Sequence, residues 1–308
     1  MYSLPELFKK EKNKLFQLAL QTDKVKPEKL QFPAVLQIKW DGVFCAALLD
    51  EEGECTIYSR SGEVYVSMKH IEEALKRYYR CTTDTPDQGT LIIFEAWAEG
   101  VNQSTISGWA RDTKAQHPEL VAKMHDLLDV DLKTGEINTR CRVYGNRMAI
   151  LEDLFPMLPK ETPLRLCQYD IVHSWEEATA LADEWMAAGH EGAILRNPRS
   201  TEYAPGKRSH DLVKIKRGVS YDLEVIGVEE GSTGKYKGTL GTLVCRWKNG
   251  GVIYISGMKD SQRHLWWSNP DEIIGKIVQV DAMSESSKGK LREPRFKGIR
   301  TDKTEGDF

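Results

Sequence analysis

At Ser220 the chain changes character, and that change constrains its fold more than any other feature. Beyond it, residues 222–229, 239–247, 252–257 and 276–282 are strand-like and separated by glycine-rich turns. Several short strands in roughly 90 residues predict a small barrel, with an OB-fold as the natural form. Before it, strands alternate with helices. Residues 35–38, 43–50 and 54–58 read as short strands with turn signals between them, and LIIFE (91–95), LRLCQYDIV (164–172), AILRN (193–197) and LVKIK (212–216) read as further strands. His70 to Tyr79 puts Ile71, Leu75 and Tyr78 on one helical side. Ser174–Trp175–Glu176–Glu177 is a capping box that opens a helix ending near Gly189. Residues 4–20 read as an amphipathic helix with Leu4, Leu7, Phe8, Leu15 and Leu18 approximating one face. Residues 101–160 carry the weakest pattern, and Asp129 to Asn138 within them reads as a loop. A domain boundary is expected near Arg217–Tyr221.

Length and composition agree with two domains. The chain has 308 residues, of which 40% are hydrophobic and 29% charged, as in ordinary globular proteins. No apolar run approaches the roughly 20 residues that cross a bilayer. The segment MYSLPELFKKEKNKLF has charges where a signal peptide needs its apolar stretch, so a cytoplasmic monomer without membrane association is expected. No two of the six cysteines sit two or three residues apart, which argues against a zinc knuckle or a redox pair.

The net charge of −3 argues mildly against nucleic-acid binding, but the cations are concentrated. Lys207, Arg208, Lys214, Lys216 and Arg217 face Asp211 alone in one run. Lys288, Lys290, Arg292, Arg295, Lys297, Arg300 and Lys303 outnumber Glu293 and Asp302 in another. Such runs suit phosphate, and each alone also reads as a solvated face.

The chemistry-bearing residues are distributed among the strands. Lys39–Trp40–Asp41–Gly42 follows the apolar strand VLQI. A lysine there can attack phosphorus once its amine is neutral, which requires burial or neighbouring cations. Alone, this motif is as well explained by an exposed turn lysine. Five further pieces accompany it. Ser59–Arg60–Ser61–Gly62 follows a strand, and Glu95 ends the buried strand LIIFE, a costly place for an unpartnered carboxylate. Tyr169–Asp170 lies late in another apolar strand, and Glu191–Gly192 separates a helix from AILR. Lys214 and Lys216 are two apart and so share a strand face, where they repel each other unless an anion lies between them.

In this order the motifs KWDG, SRSG, FEAW, YDIV, EGAILRNP and LVKIK resemble those of the covalent nucleotidyltransferases, which comprise DNA ligases, RNA ligases and mRNA capping enzymes. TEYAPGKRSHDLVKIK, GSTGKYKGTLGTLVCRW and LREPRFKGIRTDK narrow the resemblance to ATP-dependent DNA ligases of the small two-domain phage and bacterial type. The resemblance implies an α+β protein. Its first domain, residues 1–218, would be a nucleotidyltransferase (ATP-grasp-like) domain of antiparallel sheets with helices. Its second, residues 219–308, would be an all-β OB-fold domain.

The resemblance also implies roles. Lys39 would form a phosphoramide with AMP from ATP. Gln37 and Ile38 would border the base, the Gln37 amide oxygen accepting from the adenine amino group, and Tyr169 would stack on it. Arg60 and Glu95 would hold the ribose and 5′-phosphate side. Glu191, with Glu95, would bind a divalent metal, Mg2+ with Mn2+ as an alternative. Lys214 and Lys216 would grip the α-phosphate, and Arg300 and Lys303 would orient the leaving pyrophosphate. Nicked duplex DNA would be the partner, held by Arg60, Lys207, Arg208, Arg217, Lys235, Lys237, Lys290, Arg292 and Arg295. Two positions depart from the family pattern: Phe44 stands where an arginine is frequent, and Gln37 where an acid is usual. Three rivals are weighed: an RNA ligase or capping enzyme, a non-catalytic OB-fold binder, and an NAD-dependent ligase. The sequence LREPRF before RTDK disfavours the first. A non-catalytic binder has no need for Lys39, Glu95, Glu191, Lys214 and Lys216 together. The cysteine spacing disfavours the third, whose family carries a four-cysteine zinc site.

Overall fold

The computed structural model describes residues 14–78, 88–138, 143–200, 203–216, 218–282, 284–285 and 289–308. The chain divides into two compact units, Met1–Lys216 and Arg217–Phe308.

The first unit is built on two sheets. One has the order β1 (Leu18–Gln21), β11 (Arg208–Ile215), β10 (Gly192–Arg196), β2 (Ala34–Lys39), β9 (Tyr169–Val172). The other has the order β4 (Cys55–Ser59), β3 (Val43–Leu49), β5 (Gln88–Trp97), β6 (Val121–Asp131), β7 (Ile137–Asn138), with β8 (Leu164–Leu166) pairing β6 in parallel. The remaining pairings are antiparallel except β1 with β11. Helices α1 (Lys69–Tyr78), α2 (Gln103–Ala110) and α3 (Tyr144–Leu154) contribute Ile71, Leu75, Ile106 and Met148 to the largest core, beside Ile57, Ile92 and Phe94 from the second sheet. Helix α4 (Trp175–Ala187) packs Ala178 and Ala182 against Leu36, Leu195 and Val213 of the first sheet. Its cap is as read from sequence, with Ser174 Oγ accepting from Glu177 N at 3.0 Å.

Three sequence expectations are overturned. Within the helix expected over 4–20, residues 4–13 lie outside the described residues and Leu18–Gln21 is strand β1. The backbone of Leu18 donates to Lys207 O at 2.9 Å, and Leu15 and Phe16 are buried, so pairing with β11 outweighs the helical spacing of the leucines. The loop expected from Asp129 to Asn138 is instead the closing hairpin of β6 and β7. The single strand expected over 164–172 is two. Cys167 N donates to Met124 O at 2.8 Å, while Gln168 O accepts from Ile38 N at 3.1 Å. At this step the chain passes from one sheet to the other, which a run of apolar residues cannot announce.

The turn Trp40–Gly42 likewise carries the chain from β2 to β3, between the sheets. It lies so close to β5 that a Cβ on Gly42 would stand 2.2 Å from Ala96 O.

The second unit carries the order β14 (Val252–Ile255), β13 (Leu240–Arg246), β12 (Val219–Glu230), β15 (Ile277–Ala282), β18 (Arg295–Ile299), with the short pair β16 (Ser284–Glu285) and β17 (Leu291–Arg292). Leu223, Val225, Leu243, Ile255 and Val278 fill its core. Helix α5 (Asp260–Ser268), unread in the sequence, closes that core with Trp266, whose ring meets Phe296 at 5.5 Å. Arg300 Nη1 and Lys303 Nζ both reach Asp222 Oδ2, at 2.7 and 2.6 Å.

Gly42→Ala is expected to cost about 1–3 kcal/mol, because backbone carbonyl cannot yield as a side chain can. Gly108, inside α2, has nothing within 4 Å of an added Cβ, so Gly108→Ala is expected to stabilise by roughly 0.5–1 kcal/mol. Urea midpoints of the two variants would move in opposite directions, and a neutral Gly42→Ala would contradict the close approach.

Candidate active site

Lys39 is the last residue of β2, and its register partner is Gly192, the first of β10. That pairing brings Glu191 beside Lys39, and Lys39 Nζ is ion-paired with Glu191 Oε2. Lys216, just past β11, reaches Glu191 Oε1 at 3.7 Å. Ile194 of β10 is paired with Gln37 on one side and Lys214 on the other, so the lysine of β11 comes onto the face that carries Gln37 and Lys39. Gly192 is required here: its φ is 150°, and a Cβ would stand 2.2 Å from Ile215 O.

Next to this cluster is a cavity of about 300 Å³ lined by both sheets. Gln37, Ile38, Lys39, Ile194, Arg196, Arg208 and Lys214 come from the first sheet, and Phe44, Arg60, Ile93, Glu95, His125 and Asp126 from the second sheet and its turns. Phe16, Trp40 and Tyr203 add aromatic surface. Phe44 stacks under the Arg60 guanidinium at 3.8 Å and meets Phe16 at 4.9 Å, so the position that departs from the family pattern holds Arg60 by packing.

The cavity's electrostatics favour an anion. Burial lowers Lys214 from the ordinary lysine range, and the charges of Lys216, Arg208 and Lys39 lower it further. Burial also lowers Arg60, with the Glu95 charge opposing. Burial pushes the Glu95 carboxyl up to about 7, and the charges of Lys39 and Arg60 pull the other way without offsetting it. Asp126 behaves differently. Burial would raise it, but the charges of Arg147 and Arg196 hold it below the ordinary range.

The structure therefore brings Gln37, Ile38, Lys39, Arg60, Glu95 and Lys214 to one cavity, with Glu191 and Lys216 at Lys39. Tyr169, the register partner of Gln37, lines a neighbouring cavity with Lys123, Arg165 and Trp185 that shares Ile38 and Cys167 with the first, and its hydroxyl is hydrogen-bonded to Glu152. Arg300 and Lys303 belong to the second unit, paired with Asp222. Of the residues expected at DNA, Arg208 lines the cavity and Lys207 is exposed beside it in sequence. In the second unit, Lys237, Lys290 and Arg295 are exposed, Arg292 is partly buried, and Lys235 pairs with Asp260 at 3.1 Å. Arg217 lies outside the described residues. Sequence reasoning missed His125, Asp126 and Arg196. The signal available for the first two was an acid inside the apolar stretch HDLLDV of β6.

Comparison with known proteins accords with this arrangement. Residues 16–216 match the family model described as ATP dependent DNA ligase domain, and residues 231–300 match that of the DNA ligase OB-like domain. The DNA ligase of Methanosphaerula palustris is 32% identical over 300 residues, covering 87% of this chain and 51% of that protein. The solved structure described as Pmar-Lig_Pre. superposes with a TM-score of 0.77 at 22% identity, covering 94% of this chain and 68% of the other. A structure from work on Lig E DNA ligases superposes with a TM-score of 0.70 at 15% identity, covering 92% and 98%. The fold is that of a nucleotidyltransferase domain followed by an OB-like domain. The chain belongs to the ATP-dependent DNA ligase family. It spans about half the length of its Methanosphaerula relative.

A carboxyl raised to about 7 in the folded state and 4.5 when unfolded binds an extra proton in the fold between those values. Stability therefore falls as pH rises through that window and is flat above it. Glu95→Gln removes the cost of the charge. It is expected to melt close to the parent at pH 5 and to be more stable at pH 8, by up to about 3 kcal/mol. An equal difference at both pH values would show that the carboxyl carries no such penalty.

Proposed function

We propose that this chain is an ATP-dependent DNA ligase that adenylates itself on Lys39, passes AMP to the 5′-phosphate at a nick, and joins that phosphate to the adjacent 3′-hydroxyl. The observation that carries the reading is the convergence of Lys39 and Lys214 on a cationic cavity large enough for a nucleotide, with Glu191 paired to both Lys39 and Lys216 beside it.

In the first step Lys39 Nζ attacks the α-phosphorus, an N–P bond forms, and the bond to the pyrophosphate oxygen breaks. The amine must first lose a proton, and Glu191, already at Nζ, is the nearby acceptor. Lys214 and Lys216 stabilise the charge that builds on the phosphoryl oxygens. Arg60 and Glu95 face the same cavity and suit the ribose side. Arg300 and Lys303 are proposed to act on the pyrophosphate, which requires them to exchange Asp222 for phosphate.

Glu191 and Glu95 offer the hard oxygen donors that Mg2+ takes, and among the described residues no cluster of three His, Cys, Asp or Glu forms a closed metal cage. A Mg2+ bound there would complete its shell with phosphate oxygens and water and would supply charge neutralisation. The second and third steps need a duplex. For that we propose the exposed cations Lys207, Lys237, Lys290 and Arg295, together with Arg60, Arg208, Arg217, Lys235 and Arg292.

Intact mass measured after incubation with ATP and Mg2+ is expected to show one added AMP, absent in Lys39→Ala. An adduct that persists in the alanine variant would place the nucleophile elsewhere. Binding to nicked duplex is expected to weaken steeply with salt, by about 0.9 in the slope of log K against log salt for each phosphate contact. A slope near zero would remove the proposed cations from DNA recognition.

A further inference from the structure

In one wall of the cavity lies a buried network of charged side chains that phosphoryl chemistry does not use. Arg196, at the end of β10, makes three polar contacts. Its Nε donates to Gln37 Oε1 at 3.0 Å, Nη1 to Asp126 Oδ2 at 3.0 Å, and Nη2 to His125 Nδ1 at 3.0 Å. Asp126 is held in turn by Arg147, with Nε at 2.7 Å and Nη2 at 3.2 Å. Asp126 is 3% exposed and Gln37 is 1% exposed, so both guanidinium groups are fixed against a buried carboxylate.

This network decides which end of one amide faces the cavity. A guanidinium has no acceptor, so the Gln37 atom that meets Arg196 Nε must be the oxygen. The amide nitrogen is then turned to Met148 Sδ at 3.8 Å. Met148 belongs to the apolar core, whereas Arg196 and Gln37 line the cavity. The end of the Gln37 amide on the cavity side is therefore its oxygen acceptor. Without the anchor, the amide could rotate and offer its two N–H donors instead. A carboxylate at this position would need no anchor, because both its ends accept.

We propose that Arg196 is a positioning residue that holds Gln37 with its oxygen toward the cavity, so that the site selects a purine bearing an exocyclic amine over one bearing a carbonyl at the same edge. The inference rests on the nucleotide reading of the cavity and on Gln37 as its base contact, and adds to them the residue that orients that contact. An amine donates to the fixed oxygen. A carbonyl meets it acceptor to acceptor, and both groups lose their partners.

The test compares adduct formation from ATP and from GTP, followed by intact mass as kcat/KM for each nucleotide. Arg196→Lys keeps a positive charge beside Asp126 and removes the Nε–H at Gln37. Preference for ATP over GTP is expected to fall by about tenfold or more in this variant. Adding Gln37→Glu to Arg196→Lys is expected to restore the preference. Equal losses with both nucleotides, unchanged in ratio and not recovered by Gln37→Glu, would reduce Arg196 to a structural role and overturn the proposal. A parent chain that forms adducts with both nucleotides equally would overturn it as well. A parent that forms no adduct with either nucleotide would sink the nucleotide reading itself, and the proposal with it, before any substitution is made.

Discussion

The antiparallel register between β2 and β10 is the constraint on which the rest of the site depends. It pairs Lys39 with Gly192, and so sets Glu191 against the lysine amine. It also pairs Ile194 with Gln37 and, through β11, with Lys214. A slip of one residue would turn Lys39 to the opposite face of the sheet, away from Glu191. Gly192 makes the register available, because only a residue without a Cβ lets β10 and the end of β11 approach so closely.

The two sheets of the first unit exchange chain at two places, Trp40–Gly42 and Cys167–Gln168, and the cavity lies where they do so. Backbone groups at such crossings pair with one sheet up to a given residue and with the other after it. Side chains from both sheets therefore converge there without a loop to carry them. This arrangement explains how a basic cluster from β2, β10 and β11 comes to face Arg60 from the turn after β4 and Glu95 from β5. The cost appears in the charged groups themselves: Glu95, Lys214 and Arg60 are all shifted toward their neutral forms by burial. Lys39, Lys214 and Arg208 are like charges brought close together there, and an anion between them would relieve their repulsion.

Asp126 stands apart from that pattern. Two arginines stabilise its charge against burial, and it is the fixed point of the network in the cavity wall. His125, pushed down to about 3 by burial and by the Arg196 charge, stays neutral at physiological pH and accepts from Arg196. The charges near Gln37 are thus paired, while burial and the neighbouring cations lower Lys214. The wall near Gln37 suits recognition of an uncharged ring, and the wall near Lys39 and Lys214 suits chemistry on a phosphate.

The sequence by itself determined the two-part architecture, the short strands of each part, and the order of KWDG, SRSG, FEAW, EGAILR and LVKIK, because period-two patterning and turn residues are local properties. It also singled out Lys39, Arg60, Glu95, Glu191, Lys214 and Lys216, because charged residues at the ends of apolar strands are rare enough to notice. Only the tertiary structure decided the rest. Leu18–Gln21 became a strand because β11 offered it backbone partners, against the helical spacing of its leucines. Tyr169 came to pair with Gln37 because the chain changes sheets just before it. His125, Asp126 and Arg196 met at Gln37 through pairings between strands far apart in the chain, and a contact of that kind leaves no period in the sequence to be read.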